Sequence, residues 1–342
     1  CCSLLCGYSF YLVSIMNRAS APAKIILFGE HFVVYNQPII LASINRRIKI
    51  ESKITLDNGN TITIETNRFG KKTYRLSILN NNHKNDLNDF FYPIIYILKK
   101  TISNNNKKTI GIEIRIDSEI PYGVGLGSSA ALSVAAVSSI NSLYNKYQNK
   151  KDVLELAIET ERIIHKNSSG ADCVVSMYGG LMYYQKNKEI RKLKHSNKLN
   201  FVIINSGVKH ATGNLVSIVQ QFKQNNFEIF HRLSKMVTNI CENAIEELER
   251  GNSTNLGKLM NENQTLLEQI GVSNKEISKI IDSSLNFGAL GSKITGAGGG
   301  GCVLSLVRKE DEESFLSNMR KCGYECFDIK IENQGIIIED KS

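Results

Sequence analysis

Pro121-Tyr-Gly-Val-Gly-Leu-Gly-Ser-Ser-Ala-Ala131 is the stretch whose reading decides the fold. Before it stands Ile110-Gly-Ile-Glu-Ile-Arg-Ile116, which alternates strictly and reads as a strand. After it, Ser128 to Tyr147 is rich in Ala, Val and Ser and reads as a helix. A helix N-terminus carries unpaired N–H groups and the positive end of the macrodipole, so it attracts phosphate. Gly123, Gly125 and Gly127 let the backbone bend and approach such a ligand. Ser128 and Ser129 add hydroxyls for phosphate oxygens or a divalent cation. The loop is not a Walker A sequence, because Ser rather than Lys follows the last glycine. Gly125-x-Gly127-x-x-Ala130 formally fits the dinucleotide pattern, so an oxidoreductase stays open as a weaker alternative. Against it, Pro121 separates the strand from the glycines, and the next stretch reads as helix where an acid-bearing strand is needed.

Three other segments carry chemistry. In Ser20-Ala-Pro-Ala-Lys-Ile-Ile-Leu-Phe-Gly-Glu-His31, Lys24 heads an apolar strand, and Gly29, Glu30 and His31 follow its end. A lysine among apolar neighbours is costly unless paired. Glu161 lies on a second helix, residues 151–165, and Asp172 follows the turn Ser168-Ser169-Gly170. One carboxylate suits Mg²⁺ and the other suits orienting or deprotonating a hydroxyl. Glu161 and His165 share a helix face, but HExxH is missing, so zinc is not expected. Gly296-Ala-Gly-Gly-Gly-Gly301 lies between two apolar strands, where backbone can pass close to a ligand.

The rest of the chain sets the fold class. Residues 46–54 and 61–66 alternate around Asp57-Asn58-Gly59-Asn60, which predicts a hairpin. Residues 73–78, 179–184, 201–205, 302–307, 324–331 and 334–338 read as strands. Helical spacing runs through 87–100, 212–250, 254–270, 274–286 and about 310–320. The early strands read as antiparallel, and helices alternate with strands irregularly. This predicts an α+β protein of two domains, 16–198 and 199–342, rather than a doubly wound parallel sheet.

Composition narrows the function. The chain has 342 residues and a formal net charge of +9, with Lys and Arg spread along it. The densest groups, Lys186–Lys194 and Lys99–Lys108, read as solvated turns, and a nucleotide suits the charge at least as well as DNA. No nucleic-acid or membrane partner is expected. Eight cysteines without paired metal spacing fit a reduced, cytoplasmic protein. Residues 1–15 are uncharged and too short to span a bilayer, and they lack the features of a signal peptide. They read as an upstream or non-native extension, with Met16 as the start.

Together, the segments resemble the GHMP kinases, through patterns like PxKxxLFGEHxVV, PxxxGLGSSAA and KxTGAGGGGC in that order. The resemblance covers Ala21 to about Glu339. It implies a ribosomal-S5-domain-2-like N-terminal domain and a ferredoxin-like C-terminal domain. Gly29 to Tyr35, Glu161 to Asp172 and Asn205 to Thr212 resemble the branch acting on an isoprenoid-precursor alcohol, although Lys166, Ser168, Cys173 and His210 depart from its usual residues. Another alcohol, a sugar acceptor or a non-catalytic sensor remains an alternative. The resemblance implies ATP on Pro121, Gly123, Gly125, Leu126, Gly127, Ser128, Ser129 and Ala130, and Mg²⁺ held by Ser129 and Glu161. It implies Asp172 as proton acceptor and Lys24 as its charged partner. Glu30, His31 and Thr212 would border the acceptor, as would Gly296, Ala297 and Gly298, whose loop would close over the nucleotide. Homodimerisation is compatible with this reading.

Overall fold

The computed structural model describes residues 16–55, 60–80, 89–102, 111–121, 123–144, 149–165, 168–186, 188–196, 198–208 and 212–339. The expected extension at 1–15, the turn residues 57–59, and Lys166 and His210 lie outside them.

The first half contains β1 (Met16–Phe28), β2 (Ile39–Thr55), β3 (Thr61–Thr66), β4 (Gly70–Arg75), α1 (Tyr92–Thr101) and β5 (Gly111–Ser118). Then come α2 (Ser128–Leu143), α3 (Lys150–Ile164), α4 (Ala171–Tyr178), β6 (Leu181–Tyr184) and β7 (Arg191–Leu193). The second half contains β8 (Asn200–Asn205), α5 (Thr212–Asn225), α6 (Phe227–Arg250), α7 (Ser253–Gln269), α8 (Lys275–Asn286) and β9 (Gly291–Thr295). It ends with β10 (Cys302–Val307), α9 (Glu312–Lys321), β11 (Glu325–Ile329) and β12 (Ile337–Glu339). The α+β class holds. The helical stretch at 212–250 divides at Asn226 into α5 and α6.

The strands form two sheets. One runs β12-β1-β2-β5-β3-β4, with β6 on β2 and β7 on β6. The other runs β11-β8-β10-β9, the strand order of a ferredoxin-like unit. The hairpin expected between residues 46–54 and 61–66 does not form. β5 lies between them, antiparallel to β2 and parallel to β3. Alternation marks a half-buried strand but not its neighbour. Here Ile112 and Ile114 of β5 stand opposite Ile62 and Ile64 of β3, which buries all four on one core. The hairpin is instead β3–β4, from Thr61–Arg75 to Thr66–Gly70.

Helix α2 explains how a functional loop is held. Its residues Ala130 to Ile140 are all buried. Small side chains let it lie close to the first sheet, and its hydroxyls bond strand groups. Ser139 Oγ donates to Asn17 O at 2.9 Å and shares a 2.7 Å bond with Ser52 Oγ. In the second half, α7 lies just as close to β9. A Cβ on Gly257 would stand 2.4 Å from Leu290 O, and one on Gly291 would stand 2.3 Å from Gly257 O.

Gly257→Ala should therefore reverse the usual sign of a helical Gly-to-Ala change. Instead of gaining about 0.5–1 kcal/mol, the protein should lose about 1–3 kcal/mol to overpacking. Urea unfolding of the two forms checks this.

Candidate active site

Strand β1 delivers the first side chain. Its inner half is buried, and Lys24 stands there with 4% of its surface exposed. The Lys24 N–H donates to Leu126 O at 2.9 Å, which fastens the glycine loop to the strand. Gly127 is the N-cap of α2 at φ 72°, and a Cβ there would stand 2.6 Å from Lys24 Cγ. Only glycine lets the helix start this close to the lysine. Lys24 Nζ then reaches Asp172 Oδ2 at 3.0 Å. Asp172 sits in the first turn of α4, where the helix dipole favours negative charge.

Glu161 comes from the buried side of α3 and is 3% exposed. Burial pushes its carboxyl up to about 7; the Ser129 hydroxyl opposes that shift, and the Asp172 charge adds to it. Its Oε1 is buried without a hydrogen-bond partner among the described residues. His165, which caps α3, is exposed on one side and approaches Ser129 Oγ at 3.4 Å; partial desolvation on the other side lowers its pKa. Lys24, Ser129, Glu161, His165 and Asp172 therefore form one cluster at the start of α2. A buried, unpartnered carboxylate oxygen beside a hydroxyl and a phosphate-attracting helix end fits a hard divalent cation. Among the described residues no group of three or more His, Cys, Asp or Glu could hold a metal. The donor set thus fits Mg²⁺ bound largely through a nucleotide, not an all-protein cage.

Of the loop residues, Leu126 and Ala130 are buried, Gly123 is exposed, and Pro121, Gly125, Gly127, Ser128 and Ser129 are half-buried. The second glycine run abuts this loop: a Cβ on Gly296 would stand 3.2 Å from Gly125 O. Gly296 and Gly298 are buried in the junction, and Ala297 is half-buried. Glu30 and His31 lie on the same junction. His31 Nε2 meets Ala297 O at 2.7 Å, and Glu30 pairs with Lys293 of β9. Burial raises the Glu30 pKa and lowers those of His31 and Lys293. Thr212 begins α5. Sequence reasoning assigned no role to Lys293 or to His165 at Ser129; in Gly291-Ser-Lys-Ile-Thr295 only Ile294 is a large apolar residue, so the burial of Lys293 is not marked locally.

Residues 90–180 match the family described as GHMP kinases N terminal domain, and residues 244–325 match GHMP kinases C terminal. The mevalonate kinase of Pyrococcus furiosus is 32% identical over 332 residues, covering 94% of this chain and 98% of its own. That of Thermococcus gammatolerans is 35% identical over 318 residues, covering 86% and 90%. The structure of Methanococcus jannaschii mevalonate kinase superposes with a TM-score of 0.80 at 28% identity, covering 94% and 99%. Lactococcus lactis galactokinase complexed with galactose shares the fold, with a TM-score of 0.76 at 20% identity over 94% and 95%. The chain belongs to the GHMP kinase family.

The Glu161 carboxyl gives a pH test on the ligand-free protein. Its folded pKa lies above the ordinary 4.5. The folded state therefore keeps the proton that the unfolded state loses, and the native chain loses stability as pH rises from about 4.5 to about 7. Against Glu161→Gln, that loss should reach about 3 kcal/mol by denaturant titration. A stability difference that stays constant with pH would contradict the assigned environment.

Proposed function

We propose that the chain is a mevalonate kinase, which transfers the γ-phosphoryl of ATP to the 5-hydroxyl of mevalonate and yields 5-phosphomevalonate and ADP. The observation that carries this reading is the Lys24–Asp172 pair at 3.0 Å beside the start of α2. The substrate choice draws on the curated mevalonate kinases, which match over nearly their whole length. The two sheets would form the cores of two domains, 16–198 and 199–342, with β12 crossing back onto the first. The reduced thiols of the described cysteines fit a cytoplasmic enzyme. Among the described residues no helix is long and apolar enough to cross a membrane.

Phosphoryl transfer asks mainly for positioning and neutralisation of charge. Residues 121–130 would hold the nucleotide, with its phosphates at the amide end of α2. Ser129 and Glu161 would hold Mg²⁺, which when bound would neutralise phosphate charge. Asp172 would take the proton from the acceptor hydroxyl as that oxygen attacks phosphorus. Lys24 would fix the Asp172 carboxylate and offset the negative charge gathered in the transition state. Glu30, His31 and Thr212, with Gly296, Ala297 and Gly298, would form the acceptor wall.

Asp172→Asn keeps the side-chain size and removes the base. It should fold, bind ATP as the native protein does, and lose about 10²–10⁴ in kcat. Single-turnover ADP release measures this, and native turnover would sink the base assignment. A panel of mevalonate, phosphomevalonate, isopentenyl phosphate, galactose and homoserine, read by ADP release with Mg²⁺-ATP, tests the acceptor. Turnover with mevalonate alone is expected. Preference for another member would retain the kinase chemistry and reassign the acceptor.

A further inference from the structure

Glu30, His31 and Phe32 close a three-residue turn. Phe32 N donates to Glu30 O at 2.7 Å, and His31 sits at φ 62° and ψ −41°. This is the positive-φ γ-turn, which is rare and strained for a residue that carries a Cβ. Such strain persists only where the surroundings over-determine the conformation. The restraints here come from the second sheet and its helix. Glu30 pairs with Lys293, and its other oxygen accepts from Asn263 Nδ2 at 3.4 Å. Lys293 Nζ also donates to Ile294 O at 2.5 Å, which anchors it on its own strand. His31 Nε2 meets Ala297 O at 2.7 Å, four residues further along the same segment.

We propose that Lys293 is a positioning residue for the acceptor alcohol, acting through Glu30 to hold the strained turn at Glu30–Phe32 against the 296–301 loop. The proposal rests on the kinase reading above. Two features separate it from a plain structural tie between the sheets. First, the tie already exists elsewhere. Thr295 Oγ1 accepts from Ile26 N at 2.9 Å and donates to Ile26 O at 3.1 Å, so β9 is fastened to β1 without Lys293. Second, Glu30 lies within electrostatic reach of Lys24. A cation that neutralises Glu30 from the far side leaves Lys24 to Asp172. Lys293 thus touches neither ATP nor the acceptor, and it governs the carboxylate and imidazole that would.

The test is a double-mutant cycle of Lys293→Met and Glu30→Gln, with steady-state kinetics. Lys293→Met should raise the acceptor KM about tenfold or more and leave the ATP KM within about twofold. If Lys293 acts through Glu30, the two changes should be non-additive, and the double variant no worse than the worse single. The double variant lacks an unpaired buried charge. It should recover the urea midpoint of the native protein without recovering the acceptor KM. Recovery of both would make Lys293 a structural residue only, and additive effects or a native acceptor KM in Lys293→Met would also overturn the proposal. If Lys293→Met does not fold, the double variant is compared with Glu30→Gln alone: an equal acceptor KM is expected, and one raised further overturns action through Glu30.

A second readout needs no substrate. The His31 Nε2 bond to Ala297 O holds the ring against the 296–301 loop. In Lys293→Met that bond should loosen, so the His31 ring signal, assigned from its loss in His31→Gln, should shift and broaden in the NMR spectrum. A ring signal unchanged from the native protein overturns the proposal. A shifted ring in a protein that phosphorylates no mevalonate would retain the positioning role and discard the acceptor assignment.

Discussion

A lysine cannot be buried without an anion to meet it, and among its described residues this chain buries two. An uncompensated buried charge costs several kcal/mol, and removing one partner of a buried pair typically costs about 3–5 kcal/mol. Lys24 and Lys293 therefore each dictate where a carboxylate must be. Lys24 requires Asp172, and so fixes the start of α4 against β1. Lys293 requires Glu30, and so fixes the end of β1 against β9. The first pair lies within the first sheet and its helices. The second crosses to the other sheet. Between them they place the ends of β1, α2 and α4 and the second glycine run around one junction.

Backbone approach is the other side of that constraint. The two pairs bring main chain so close that side chains have no room. The Gly127 Cβ position is filled by the Lys24 stem, and the Gly298 position lies 2.3 Å from Val272 O. The glycine runs are thus dictated by packing as well as by any ligand. The two demands agree, because a loop stripped of side chains also exposes its N–H groups to phosphate. Where they conflict, the molecule carries strain, and the positive φ of His31 shows it.

The sequence made visible what is encoded locally. The start of α2 after Gly127, the turn before Asp172 and the apolar strand around Lys24 are all marked by neighbours within a few residues. The non-local pairings were not visible. Ile62 and Ile64 alternate as a hairpin partner of β2 would, and nothing near them says that β5 intervenes. Glu30 and Lys293 stand 263 residues apart, so neither announces the other. Lys24 inside an apolar strand signalled that some anion was required, but Lys293, between Ser292 and Ile294, gave no such signal. The γ-turn at His31 left no trace, since bonds to residues more than 200 positions away hold it.

Glu161 shows how such a junction is poised for a ligand. In the protein alone, its buried oxygen has no partner among the described residues, and burial raises its pKa to about 7. Stability is forgone there, as is common where a site is shaped for binding rather than for packing. A cation that needs this oxygen must displace the proton, so binding and proton release are linked. Two consequences follow from one carboxylate. Cation-assisted nucleotide binding would weaken as pH falls below about 7, because protonated Glu161 offers no charge. The bound state would also be the more stable one, since a ligand that binds only the folded chain shifts the unfolding equilibrium by mass action. The same burial that makes Glu161 a poor structural residue makes it a selective one: near neutral pH an arriving cation tips it to the charged form.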